Sequence, residues 1–181
     1  MSNAGFIYDD LIERLKRVDE DAALLYNDDR RFHMVIVGGC ALILLETISR
    51  STMDIDVLDA SAEIRGLLEK YDINCNVQTY INNFPYNYED RLVPLSIGSR
   101  KINFFCASLE DIVIAKLHSI RPTDRQDILD PNVIRLLDWD LLDRLAKADD
   151  EAKASALNDR NHMEFLSDYD EYVRRCRPCG N

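Results

Sequence analysis

The chain has 181 residues, 46% of them hydrophobic and 30% charged, which suits one globular domain, or a domain with a small helical extension, and excludes wholesale disorder. Its net charge of −11 argues against general nucleic-acid or DNA binding, because phosphate neutralisation needs a surplus of lysine and arginine on one surface. No apolar run approaches the roughly 18 to 20 residues of a membrane span and the N-terminus lacks a basic-then-apolar leader, so a cytoplasmic protein without a membrane partner is expected.

Ser2 to Ala4 resemble an expression scar and carry no fold information. Residues 6 to 26 place Ile7, Leu11, Leu15, Ala22 and Leu25 at helical spacing among charges, predicting an amphipathic first helix with room for a break. His33 to Val37 is short, apolar and β-branched, a strand stopped by Gly38-Gly39, and a second helix is expected from about Cys40 to Ile48. Asp54 to Leu58 alternates polar and apolar residues, so a strand there would carry both carboxylates on one face and Ile55 and Val57 on the other. Ile64 to Tyr71 reads as helix, and residues 74 to 90 as a strand plus a long loop.

Arg91 to Ile97 and Lys101 to Ala107 read as two strands joined at Gly98-Ser99. Ser108 with Asp111 forms a capping pattern opening a helix to about Ile120, and Thr123 with Gln126 repeats it. Beyond Pro131 the pattern is helical, over Val133–Leu137, Leu141–Lys147 and His162–Arg175. Strands interleaved with helices and followed by a helical half predict an α/β (α+β) fold with a small mixed sheet.

The five cysteines at 40, 75, 106, 176 and 179 are odd in number and scattered, which suits a reducing compartment; one CxxC pair at the tail, without a second, is a poor zinc signal. The tight basic pairs Arg30-Arg31, Arg100-Lys101 and Arg174-Arg175 read as solvated surface charge.

Two patterns point to chemistry. A strand ending in Gly38-Gly39 and entering a helix is either a tight turn or a phosphate cradle, since no Cβ crowds the backbone N–H groups. Asp54 and Asp56, at i and i+2 and about 7 Å apart along a strand, are either a solvated face or a pair converging on one hard cation such as magnesium or manganese. Lys116 lies inside the apolar stripe of Leu109, Ile112, Val113, Leu117 and Ile120, so it either snorkels to water or offers a cation to phosphate.

The order Val37-Gly38-Gly39, helix, Asp54-Ile55-Asp56 resembles the nucleotidyltransferase superfamily of polymerase-beta-like fold. The segments VGGCALILLE, Arg50-Ser51-Thr52-Met53, Glu89-Asp90-Arg91-Leu92, LEDIVIAKL and RPTDRQDI are similar to uncharacterised bacterial and archaeal nucleotidyltransferase-like domains related to AbiEii-type toxins, over about residues 30 to 137. The resemblance implies a nucleotidyltransferase-like domain at 5–137 with a helical extension at 138–181. Asp54, Asp56, Lys116 and Asp127 would be catalytic, with Asp124 competing for the last place. Asp54 and Asp56 would hold Mg2+ or Mn2+, and Gly38, Gly39, Arg50 and Thr52 would bind NTP. It further implies metal-dependent transfer of a nucleoside monophosphate to a protein or RNA acceptor, with a cognate antitoxin as a partner; the alternative is an inactive nucleotide-binding or protein-interaction module. Polymerase-like members carry a third carboxylate on a following strand, and Asn103, in Ile102-Asn103-Phe104, stands in that sequence context.

Overall fold

In the computed structural model, which describes residues 5–178, the charged N-terminal segment forms one unbroken helix, α1 (Tyr8–Leu25). Ser2–Ala4 and Cys179 of the tail CxxC lie outside the described residues. Leu11, Leu15, Val18 and Ala22 make its buried stripe. The one acid inside that stripe, Asp19, is only 4% exposed, and its carboxylate accepts the backbone N–H groups of Arg100, Lys101 and Ile102 at 2.6, 2.8 and 2.7 Å. A buried carboxylate satisfied by three donors lets the helix run through without a break.

The chain then alternates β1 (Phe32–Val37), α2 (Gly38–Leu44), β2 (Ile55–Ala60), α3 (Arg65–Lys70) and β3 (Ile73–Asn74), and returns through β4 (Val93–Pro94) and β5 (Ile102–Cys106). These strands form one mixed sheet in the order β3-β2-β1-β5-β4. β1 pairs antiparallel with β2 and parallel with β5, β2 pairs parallel with β3, and β4 pairs antiparallel with β5. The expected α/β class with a small mixed sheet is therefore the observed one.

Helix α2 ends four residues before the expected Ile48. Glu46 adopts φ +56, and Thr47 N–H and Thr47 Oγ1 both donate to Leu42 O, at 2.9 and 2.8 Å, closing the last turn. β2 carries a bulge: Ile36 pairs with Val57 but Val35 with Asp59, leaving Leu58 as the extra residue. The bulge returns Asp59 to the face that Asp56 occupies, although their odd spacing would set them on opposite faces of a regular strand.

Residues up to 79 with 92–107 make one compact unit, and residues 80–91 with 108 onward make another. The second is helical: α4 (Leu109–Leu117), α5 (Pro122–Ile128), α6 (Pro131–Leu136), α7 (Trp139–Lys147), α8 (Ala152–Ser155) and α9 (Asp159–Cys176). Its core includes Ile112, Val113 and Leu117 of α4, Leu142 and Leu145 of α7, and Phe165, Tyr169 and Tyr172 of α9. Ser108 caps α4 as expected, accepting Asp111 N–H at 3.1 Å, but α4 stops at Leu117 and Thr123 is not a cap. Pro122 instead occupies the first turn of α5 and holds Arg121 extended at ψ 131°, because the ring crowds a helical neighbour.

A buried charge cluster joins the elements of this unit. Arg91 meets the fully buried Asp111 at 2.8 Å and Glu151 at 3.3 Å, and Arg144 reaches Glu151 at 3.1 Å. Burial pushes the Asp111 carboxyl up while hydrogen bonds from Arg91 and Ser108 oppose it; the direction is upward. Among the described residues no helix is long and apolar enough to cross a membrane.

Candidate functional site

The first unit places Gly38, Gly39, Arg50 and Asp56 side by side. Val37, the last residue of β1, pairs with Asp56 of β2, so the turn into α2 begins beside this carboxylate. Gly38 has φ +71, a conformation that a side chain strains, and a Cβ there would stand 3.1 Å from Asp56 Oδ2. A Cβ on Gly39 would meet the Arg50 guanidinium, with Cζ 3.3 Å away and Nη2 nearer still. Arg50 Nη1 also donates to Ser51 O at 2.8 Å, which ties the side chain along its own loop. The two glycines are thus the space into which one acid and one base fit.

Asp54 precedes β2 and is exposed, whereas Asp56 is half-buried; Ile55 and Val57, each 1% exposed, face the core. The alternation holds over Ile55, Asp56 and Val57, while Asp54 lies outside the strand and the bulge at Leu58 ends the alternation. Cys40 lies under the turn: its thiol donates to Val37 O at 2.9 Å, and its sulfur accepts Asp56 N–H at 3.4 Å. Burial pushes that thiol up to about 12, which keeps it a neutral packing group. Thr52 forms a backbone bridge with Phe6, and its hydroxyl donates to Asp54 O at 3.2 Å, so that hydroxyl fixes the loop before β2.

One neighbour of Asp56 was not singled out by sequence reasoning. Asn74 of β3 pairs with Asp56, and its Nδ2 donates to Asp56 Oδ1 at 2.8 Å. Asn74 Oδ1 accepts Asn76 N–H at 3.0 Å, so both ends of the carboxamide are engaged. Asn103, which the resemblance places in the context of a third carboxylate, sits elsewhere on the sheet. It pairs with His33 on β5 and accepts Arg31 Nε at 2.9 Å, two strands away from β2 and at the opposite end of β1 from Val37. The polar residue beside the Asp-x-Asp strand is Asn74. Only strand order reveals this, and an Asn in an irregular stretch gives no local signal of it.

At the His33 end a second hydrogen-bonded chain runs over the same sheet face. Ser61 Oγ lies 3.0 Å from His33 Nδ1, and His33 Nε2 lies 2.7 Å from Asp59 Oδ2. Ser61 Oγ also accepts His33 N–H at 3.0 Å, which makes it the closing link between β1 and the end of β2.

Lys116, Asp124 and Asp127 belong to the second unit and come together there. The Lys116 side chain is only 6% exposed, and its ammonium pairs with Asp124 and, at 2.9 Å, with Asp127 Oδ2. The ammonium therefore does not snorkel into water. Both aspartates that competed for Lys116 in the sequence reach it. Burial raises the Asp124 carboxyl, but hydrogen bonds from Lys116 and Ser119 and the charges of Lys116 and Arg121 outweigh it, so the group is held below its ordinary value.

Among the described residues, no group of three or more His, Cys, Asp or Glu side chains is placed to hold a metal ion. Each unit carries a surface cavity. One, beside Arg14 and Tyr71, is lined by charges already engaged, Arg14 with Tyr71 O and Arg17 with Glu13; the other lies between Phe84–Asp90 and Ala154–Ser155. Neither is lined by Asp54 or Asp56.

A family model described as "Nucleotidyltransferase of unknown function (DUF6036)" matches residues 13–177. No curated protein and no solved structure matches the chain.

Proposed function

We propose, from the premise that the chain belongs to this family of nucleotidyltransferases of unknown function, that it moves a nucleoside monophosphate from an NTP to a protein or RNA acceptor with a divalent cation. In the reaction an acceptor hydroxyl oxygen bonds to the α-phosphorus and releases its proton to solvent, the α–β phosphoanhydride bond breaks, and pyrophosphate leaves.

The observation that carries this reading is the apposition of Asp56 to Gly38 and of Arg50 to Gly39. A triphosphate needs close backbone approach, positive charge and a cation, and those four residues offer the first two beside an acid for the third. Asp54 and Asp56 fit magnesium or manganese, because such ions beside nucleotides are held by one or two carboxylates while phosphates and water complete the shell. The half-buried, hydrogen-bonded Asp56 would be the fixed ligand and the exposed Asp54 the adjustable one. The ion would neutralise phosphate charge that two bare carboxylates repel. Arg50 would turn toward phosphate, and Gly38 and Gly39 would keep that approach open.

The likeness of VGGCALILLE, LEDIVIAKL and RPTDRQDI to AbiEii-type relatives supports a toxin-like role with a cognate antitoxin as partner. A second reading, nucleotide binding without transfer, is favoured by Asn74: a neutral carboxamide, not a third acid, stands beside Asp56.

Calorimetry with each NTP, with and without EDTA, tests the binding step. Affinity that depends on metal and falls on Asp56→Asn supports the proposal, and equal affinity in EDTA sinks it. Transfer of α-phosphate label to protein or RNA then separates the two readings.

A further inference from the structure

We infer that this site takes a single divalent cation and that Asn74 is the positioning residue that sets that number; the inference rests on the metal-dependent reading above. Two-metal phosphoryl-transfer sites hold two dications about 3.5 to 4 Å apart, which repel each other four times as strongly as two unit charges at that distance. Carboxylates around the pair must offset that repulsion. Here the residue that β3 sets directly beside Asp56 is an asparagine.

The orientation of its amide decides what it offers. Asn76 N–H donates to Asn74 Oδ1 at 3.0 Å, which turns Nδ2 toward Asp56 Oδ1 at 2.8 Å. Flipping the amide would set N–H against N–H and oxygen against carboxylate, losing both hydrogen bonds. Next to Asp56 the site therefore presents a neutral donor. An amide N–H cannot ligate a cation, and it occupies one oxygen of the carboxylate that would otherwise bridge two ions. What it can do is hold Asp56 in one rotamer, as outer-shell partners of metal-binding groups do. Asp54 and Asp56 then supply two negative charges, enough for one dication with nucleotide phosphates.

The test counts Mn2+ bound per chain by equilibrium dialysis and electron paramagnetic resonance, with Mn2+ alone and with Mn2+ plus α,β-methylene ATP. One Mn2+ per native chain is expected. Asn74→Asp should raise the count to two by adding the missing acid, and Asn74→Ala should keep one while weakening it about ten- to a hundredfold. Two Mn2+ on the native chain, an Asn74→Asp chain that stays at one, or an Asn74→Ala chain of unchanged affinity would overturn the inference and leave metal dependence standing. No Mn2+ on the native chain, or Mn2+ binding indifferent to Asp56→Asn, would overturn the metal-dependent reading itself. If Asn74→Asp does not fold, the native count and Asn74→Ala decide the matter.

Discussion

Lys116 Nζ stands 2.9 Å from Asp127 Oδ2, and the two side chains are 6% and 3% exposed. With Asp124, which Arg121 also approaches at 3.5 Å, they form a buried cluster in which the Lys116 ammonium meets two carboxylates inside the helical unit. Lys116→Met would keep the apolar stem but take the ammonium away from both acids, and breaking a buried ion pair costs about 3 to 5 kcal/mol. A lower melting temperature is the expected outcome, partly restored by adding Asp127→Asn. A melt unchanged by Lys116→Met would show that solvent reaches the cluster.

Gly38 and Gly39 should respond differently to a methyl group. At Gly38, φ +71 and Asp56 Oδ2 at 3.1 Å leave no relaxed place for Cβ, so Gly38→Ala should cost about 1 to 2 kcal/mol. At Gly39 the obstacle is the far end of a long side chain, Arg50. Gly39→Ala should therefore cost less, and should be non-additive with Arg50→Ala, because the second change removes the clash of the first. Denaturant melts of the two single variants and the double variant complete the cycle; strict additivity would mean that Arg50 does not lie over Gly39.

Asp19 fastens the middle of α1 to the start of β5. Asp19→Leu would leave the N–H groups of Arg100, Lys101 and Ile102 without their acceptor, an expected loss of about 3 kcal/mol given the cost of unmade buried hydrogen bonds. Hydrogen exchange should show those three amides losing protection first. Protection that persists in the variant would contradict the anchoring role.

His118 supplies a pH dependence. Its ring stacks on Phe165 at 4.5 Å between centroids, and burial, with His162 nearby, lowers its pKa from 6.5 to about 4. A depressed histidine means that the unfolded chain binds the proton first, so stability falls as pH drops from about 6.5 to about 4 and levels off below that. The shift corresponds to about 3 kcal/mol across that window. His118→Phe should flatten this part of the profile, and urea melts at pH 7, 5.5 and 4.5 would show it; an equal slope in the variant would assign the effect to other groups.

Much of the candidate site could be read locally. Gly38-Gly39 stops a β-branched run, DIDVL alternates with period 2, and Ser108 with Asp111 spells a cap; each signal fits within a few residues and follows from sterics or hydrogen bonding of adjacent backbone. The longer helices of the second unit were legible for the same reason, apart from the end of α4 and the start of α5, where Pro122 overrode Thr123; the short α8 was not read from the sequence. Resemblance added roles for Asp54, Asp56 and Arg50 only as expectations; it had no means of showing which residue stands next to Asp56.

That neighbour depended on β3 pairing parallel with β2 while β5 pairs with β1, an ordering invisible in a chain where Asn74 and Asn103 look alike. The bulge at Leu58, the clasp of Asp19 on β5 and the burial of the Lys116 ammonium were equally out of reach. Sequence alone determined most of the longer elements, the α/β class and the core-facing side of Ile55 and Val57, because period and turn chemistry act between neighbours in the chain. Tertiary structure decided partners, register and charge compensation, because those follow from which segments bury their apolar faces together, and that choice is made across the whole fold.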